Sequence, residues 1–137
     1  MTTIPKFLSR AVLPLLFAAL AAGSTDIATA QSDPLEGKTF EGVFLQRGKT
    51  RGDADSLTFR GGQFRSAACD QFGYGQAAYK VSTEGDATRF EVETTSAKYG
   101  RLVWTGVVRG EKLDATAVMM QSGKTPVEHW VVAGLKK

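Results

Sequence analysis

The chain has 137 residues, 42% of them apolar and 23% charged, with one cysteine, one histidine and a net charge of +3. That length holds one domain, and a single cysteine excludes an intramolecular disulfide. A near-balanced charge lacks the concentrated basic face with which nucleic-acid-binding domains meet phosphate, so no nucleic acid is expected as a partner.

Residues 1–30 stand apart from the rest. Lys6 and Arg10 form a cationic start, residues 11–22 are an apolar run broken by Pro14, and Ala28-Thr29-Ala30 is a small-x-small cleavage site before Gln31. This is the layout of a secretory signal peptide, with cleavage after Ala21 as the alternative. The apolar run is shorter than the roughly 20 residues a spanning helix needs, so no stable membrane span is expected after cleavage. Removing the segment leaves 15 basic against 13 acidic residues and places the mature protein in the periplasm or outside the cell. It must then fold on its core alone, which about 107 residues can supply.

Residues 31–37 are polar with one proline and read as a flexible lead-in, followed by a domain over 38–137. From Lys38 the pattern alternates, with Phe40, Gly42 and Phe44 on one face and Glu41, Val43 and Leu45 on the other, as in a strand. Residues 47–55 are a polar, glycine-bearing loop. Leu57 and Phe59 mark a second strand, Gly61-Gly62 a two-residue hairpin, and Phe64 a third strand. Residues 67–75 form a loop carrying Cys69, Phe72 and Tyr74. A fourth strand over 76–83 puts Tyr79 and Val81 on one face, and after a tight turn at 84–87 a fifth alternates Phe90 and Val92 with Arg89, Glu91 and Glu93. Past a loop at 96–100, the segments RLVWTGVVR, KLDATAVMMQ and VEHWVVAGL read as three further strands carrying Trp104, Met119, His129 and Trp130.

Eight short strands without a helix predict an all-β domain, an eight-stranded antiparallel up-and-down β-barrel, with a two-sheet β-sandwich as the alternative. In a meander the connections alternate between the two ends. The tight links at 61–62, 84–87 and 110–111 then share one end, and the longer ones at 47–55, 67–75, 96–100 and 122–126 the other. The loop end also gathers Arg47, Lys49, Arg51, Lys98, Arg101 and Lys124 against Asp53, Asp55 and Asp70, which marks it as the end that meets a ligand.

Local motifs for chemistry are weak. Gly-Lys-Thr occurs at 37–39, 48–50 and 123–125, but a phosphate loop needs a glycine five positions earlier, where Ser32, Val43 and Val118 stand. Arg51-Gly52-Asp53 reads as a solvated turn. Cys69 and His129 could form a thiol–imidazole pair, but one of each gives no spacing and no Gly-x-Ser-x-Gly elbow accompanies them. No metal-ligand spacing is recognisable, and Asp53-x-Asp55 alone is too little for calcium. No catalytic residue, metal or cofactor is expected, and the chain is not read as an enzyme. Gly42, Gly106, Ala115 and Ala117 fall among the large inward residues and are expected to leave room for one ligand.

The arrangement resembles the calycin group, the small meander barrels that include lipocalins and avidins, over nearly all of residues 38–135. Gly42-Val43-Phe44 stands where lipocalins carry Gly-x-Trp, with phenylalanine in place of tryptophan, and the chain has none of the asparagine that avidin-like biotin sites use. Leu57-Thr58-Phe59 with Phe64, Ser66, Cys69 and Gly73, followed by Trp104-Thr105-Gly106, also looks like small exported bacterial proteins of unassigned function. The resemblance implies a barrel and export. The expected function is binding of a small apolar or amphiphilic, anionic ligand through Arg47, Lys49, Arg51, Tyr74, Tyr79, Trp104 and Met119. The alternative is a periplasmic protein-interaction or inhibitor module with a filled barrel, whose partner is an envelope protein.

Overall fold

The computed structural model describes residues 33–137; the signal peptide expected over 1–30 and the first two residues of the lead-in lie outside them. The strands are β1 (Thr39–Gln46), β2 (Asp53–Arg60), β3 (Gln63–Ser66), β4 (Ala77–Glu84), β5 (Ala87–Ser96), β6 (Gly100–Arg109), β7 (Lys112–Met120) and β8 (Val127–Leu135), with one helical turn, α1 (Ala67–Asp70), after β3. They pair antiparallel in sequence order and close into a barrel through β1 and β8, in register from Phe40 opposite Leu135 to Gln46 opposite His129. Closure sets the sandwich aside and leaves no strand edge unpaired along the β1–β8 seam. The up-and-down barrel is compatible with a calycin-like architecture.

Alternation decides what faces inward. Phe40, Phe59, Phe64, Phe90 and Trp104 occur at every second position of their strands and are at most 1% exposed. Each such side chain contributes about 1.5–3 kcal/mol by leaving water. Phe59 meets Phe40 and Phe90 edge-on at 6.0 and 5.1 Å, and Phe64 lies 4.9 Å from Trp104. The small inward residues therefore do not leave a hollow centre, contrary to the expectation from sequence. A Cβ on Gly106 would lie 2.2 Å from the Phe90 ring, and one on Gly42 would lie 1.9 Å from the Val132 carbonyl oxygen. Their room is taken by a ring and by backbone.

One end is closed by hairpins. Gly61 and Gly62 both have positive φ, 60° and 73°, the conformation a two-residue turn between twisted strands requires. The segment expected as a flexible lead-in is, from Asp33 onward, part of this end. Leu35 is 1% exposed and belongs to the core, and the Glu36 carboxylate accepts the Gly61 and Gly62 N–H groups at 2.6 and 3.1 Å. The other end is irregular because β3 stops at Ser66 and pairs with β4 only at Gln63–Ala78 and Phe64–Ala77. α1 and the chain to Gln76 occupy the position a longer strand would have filled, so the expected loop begins with a helical turn. The β5–β6 link is tighter than expected, since strand pairing continues to Ser96 opposite Gly100.

Candidate functional site

Above the aromatic core, at the end bearing the longer links, lies a cavity of about 340 Å³. Three parts of the chain build it. The β1–β2 loop and the start of β2 supply Lys49, Arg51 and Asp53; the segment after β3 supplies Cys69, Phe72 and Tyr74; and the strand ends with the β5–β6 turn supply Phe44, Tyr99, Leu102, Met119 and His129. Most of these side chains are apolar, with the charged groups Lys49, Arg51 and Asp53 at the exposed rim.

The segment after β3 is fastened to its neighbours through polar atoms. Asp55, 5% exposed on β2, accepts the Ser66 hydroxyl at 2.6 Å and the Ala68 N–H at 2.9 Å. The Ser96 hydroxyl donates to the Phe72 carbonyl at 2.7 Å, and the Tyr74 hydroxyl donates to the Tyr99 carbonyl at 3.4 Å. Asp55 thus ties the start of the segment to β2, and Ser96 ties its middle to β5.

Burial shifts three titratable groups of the cavity wall, Cys69, Tyr74 and His129, toward their neutral forms. Burial is the main cause that pushes the Cys69 thiol up to about 11; Asp55 and Asp70 add to it, against a lowering influence of the neighbouring Ser66 side chain. A protonated thiol is a poor nucleophile. Tyr74 is also raised, first by burial. His129 is lowered by burial, against the neighbouring carbonyls of Ala117 and Val127. Its Nδ1 lies 3.3 Å from the Ala117 oxygen, and its ring stacks on Phe44 with centroids 4.6 Å apart and planes at 24°.

Of the residues expected at the site, Lys49, Arg51, Tyr74 and Met119 meet at this cavity. The other three do not. Arg47 turns to Glu128, with Nη1 2.9 Å from Oε2. Tyr79 lies toward the closed end, its N–H donating to Gly62 O at 3.3 Å and its hydroxyl to the Asp33 carboxylate. Sequence alternation put Tyr79 on the inner face but could not give its height along the barrel, which the stagger of β4 against β3 sets. Trp104 is wholly buried beneath the cavity, reaching it only through Phe44, whose ring centroid is 5.7 Å away. The Trp104 indole Nε1 and the Thr94 hydroxyl have no hydrogen-bond partner among the described residues.

Sequence reasoning weighed His129 only as a partner for Cys69 and did not place it among the ligand-binding residues, and it left out Phe44, Phe72, Tyr99 and Leu102 as well. A signal was present, for Val127, His129, Val131 and Ala133 alternate along β8, so a single imidazole sits in an otherwise apolar inward row. Among the described residues, no three His, Cys, Asp or Glu side chains are grouped to hold a metal ion, and no helix is long and apolar enough to cross a membrane. The fold and cavity define a closed eight-stranded meander barrel with an apolar pocket at its loop end. Compared with known proteins, the chain matches no family model, no curated protein and no solved structure.

Proposed function

We propose that the chain is an exported barrel that binds a small amphiphilic anion in the loop-end cavity, apolar body inward and charged head at Lys49 and Arg51. The observation that carries this reading is an apolar cavity of about 340 Å³ with those two cations at its mouth. Among the described residues neither is in an ion pair, whereas Arg47, Arg65, Arg89 and Arg101 each hold a carboxylate. Asp53 at the same mouth subtracts one charge and leaves the balance positive. Export rests on the signal-like segment at the start of the chain.

Titration with decanoate tests the reading. Lys49→Gln combined with Arg51→Gln is expected to weaken binding about tenfold, the equivalent of one charge-assisted hydrogen bond. Arg47→Gln is expected to change it by less than about twofold, since Arg47 is already paired at the exposed surface. Equal affinity for an amphiphilic carboxylate after the double change counts against the anion site.

A second reading, the envelope protein-interaction module, is favoured by the exterior of β1 and β8. Val43, Trp130 and Val132 are 47%, 46% and 64% exposed, and Val43 faces Val132 across the seam. A co-purifying protein lost on Trp130→Gln would favour this surface over the cavity.

A further inference from the structure

The cavity wall offers a ligand one polar atom whose character the fold has already chosen. His129 Nδ1 is 3.3 Å from the Ala117 carbonyl oxygen. A carbonyl can only accept, so the hydrogen-bonding tautomer carries its proton on Nδ1 and leaves a lone pair on Nε2. His129 is 7% exposed and lines the cavity, and Nε2 makes no hydrogen bond among the described residues. Burial disfavours the charged ring, which favours keeping that lone pair. Of the two tyrosine hydroxyls at the wall, that of Tyr74 is engaged, donating to the Tyr99 carbonyl. The inner part of the cavity therefore presents an unfilled acceptor.

The surroundings restrict the rest of the ligand. Phe44 stacks on His129 and leans on the buried Trp104, and the rings of Tyr74, Tyr99 and Phe72 stand around the space above. Such walls suit a flat aromatic body, which packs face or edge against neighbouring rings. The volume of about 340 Å³ is at the low end of the range of about 300–1,000 Å³ for ligand pockets, enough for one ring with short substituents. Lys49 and Arg51 stand on the exposed loop at the mouth, with Asp53 beside them.

We propose that the site selects a single-ring aromatic carboxylate bearing a hydroxyl at the far end of the molecule, with the hydroxyl donating to His129 Nε2 and the carboxylate outward at Lys49 and Arg51. The orientation follows from charge and hydrogen bonding together. A carboxylate turned inward would set its oxygens against a lone pair in an apolar wall, while the hydroxyl would waste its proton at the cationic mouth. This specificity rests on the amphiphile reading and narrows it.

Calorimetric titration with para-hydroxycinnamate, cinnamate, para-methoxycinnamate and decanoate separates the two. The hydroxylated acid is expected to bind about tenfold more tightly than cinnamate or the methoxy compound, because only it fills the acceptor. His129→Phe, which keeps a ring against Phe44, is expected to erase that preference. Lys49→Gln with Arg51→Gln is expected to weaken all three aromatic acids together and leave the preference intact. The methoxy comparison needs no variant, so it decides the matter even if His129→Phe fails to fold. Equal binding of the three aromatic acids, or binding of decanoate alone, overturns the hydroxyl–His129 assignment while the anion site stands. Binding of none of the four overturns both.

Discussion

Gly106 sets how closely β6 can approach the Phe90 ring. A Cβ there would stand 2.2 and 2.3 Å from two ring carbons of Phe90 and 3.0 Å from the Ala115 Cβ. Phe90 is 1% exposed and packed between Phe59 and Phe64, so the ring has nowhere to retreat. Gly106→Ala is therefore expected to cost about 1–3 kcal/mol of stability by urea denaturation, as overpacked cores do. Gly134→Ala is the control, because its Cβ would meet nothing closer than the Glu111 oxygen at 4.0 Å. An alanine tolerated equally at both positions would show that the Phe90 ring yields. The same scale of argument explains His129: burial disfavours the charged form of one imidazole in an apolar row, and its Nδ1 lies 3.3 Å from the Ala117 carbonyl.

The segment after β3 is the element on which the cavity depends, and it cannot stand by itself. A helix of four residues gains too few internal hydrogen bonds to offset its ordering entropy. The Ser66 N-cap makes no side-chain capping bond; its hydroxyl goes to Asp55 instead. Asp55→Ala leaves the Ser66 hydroxyl and the Ala68 N–H without their acceptor and is expected to lower stability by about 3 kcal/mol. It also frees the segment locally. Cys69, 4% exposed with its thiol pushed up to about 11, is then expected to react with a thiol reagent about tenfold faster than in the unaltered protein. An unchanged rate would mean that Ser96 and Tyr99 hold the segment without Asp55. Asp55→Asn, which keeps an oxygen acceptor, is expected to fall between the two.

Across the whole barrel, the two ends divide the work. The hairpin end is stoppered by the turn at residues 33–37, where Leu35 enters the core and Gly37 N–H donates to the Phe59 carbonyl at 2.7 Å. Leu35→Ala is expected to cost about 3 kcal/mol, the usual loss for a buried leucine that leaves a cavity. Because Leu35 does not line the loop-end cavity, affinity for decanoate is expected to stay within about twofold where the variant remains folded. A large fall in affinity at unchanged stability would show that the ends are coupled through the aromatic column of Phe40, Phe59, Phe64 and Trp104.

The sequence carries the strands, their order and which residues face inward, because alternation is a local property written at spacings of two and turn glycines mark the links between strands. The hairpin at Gly61-Gly62 and the inward row of Phe90 and Val92 were legible for that reason. It also marked the loop end and, within it, Lys49, Arg51, Tyr74 and Met119. The rest came from contacts made only in the folded chain. Barrel closure and stagger set the height of each inward residue, which sent Tyr79 toward the hairpin end and Trp104 into the core. Packing decided that the space beside Gly106 belongs to Phe90, and pairing took Arg47 to Glu128, 81 positions away. Burial and the register of β7 against β8 made a cavity acceptor of His129 by placing it opposite Ala117. These are contacts between residues distant in the chain, and a periodicity of two carries no information about them.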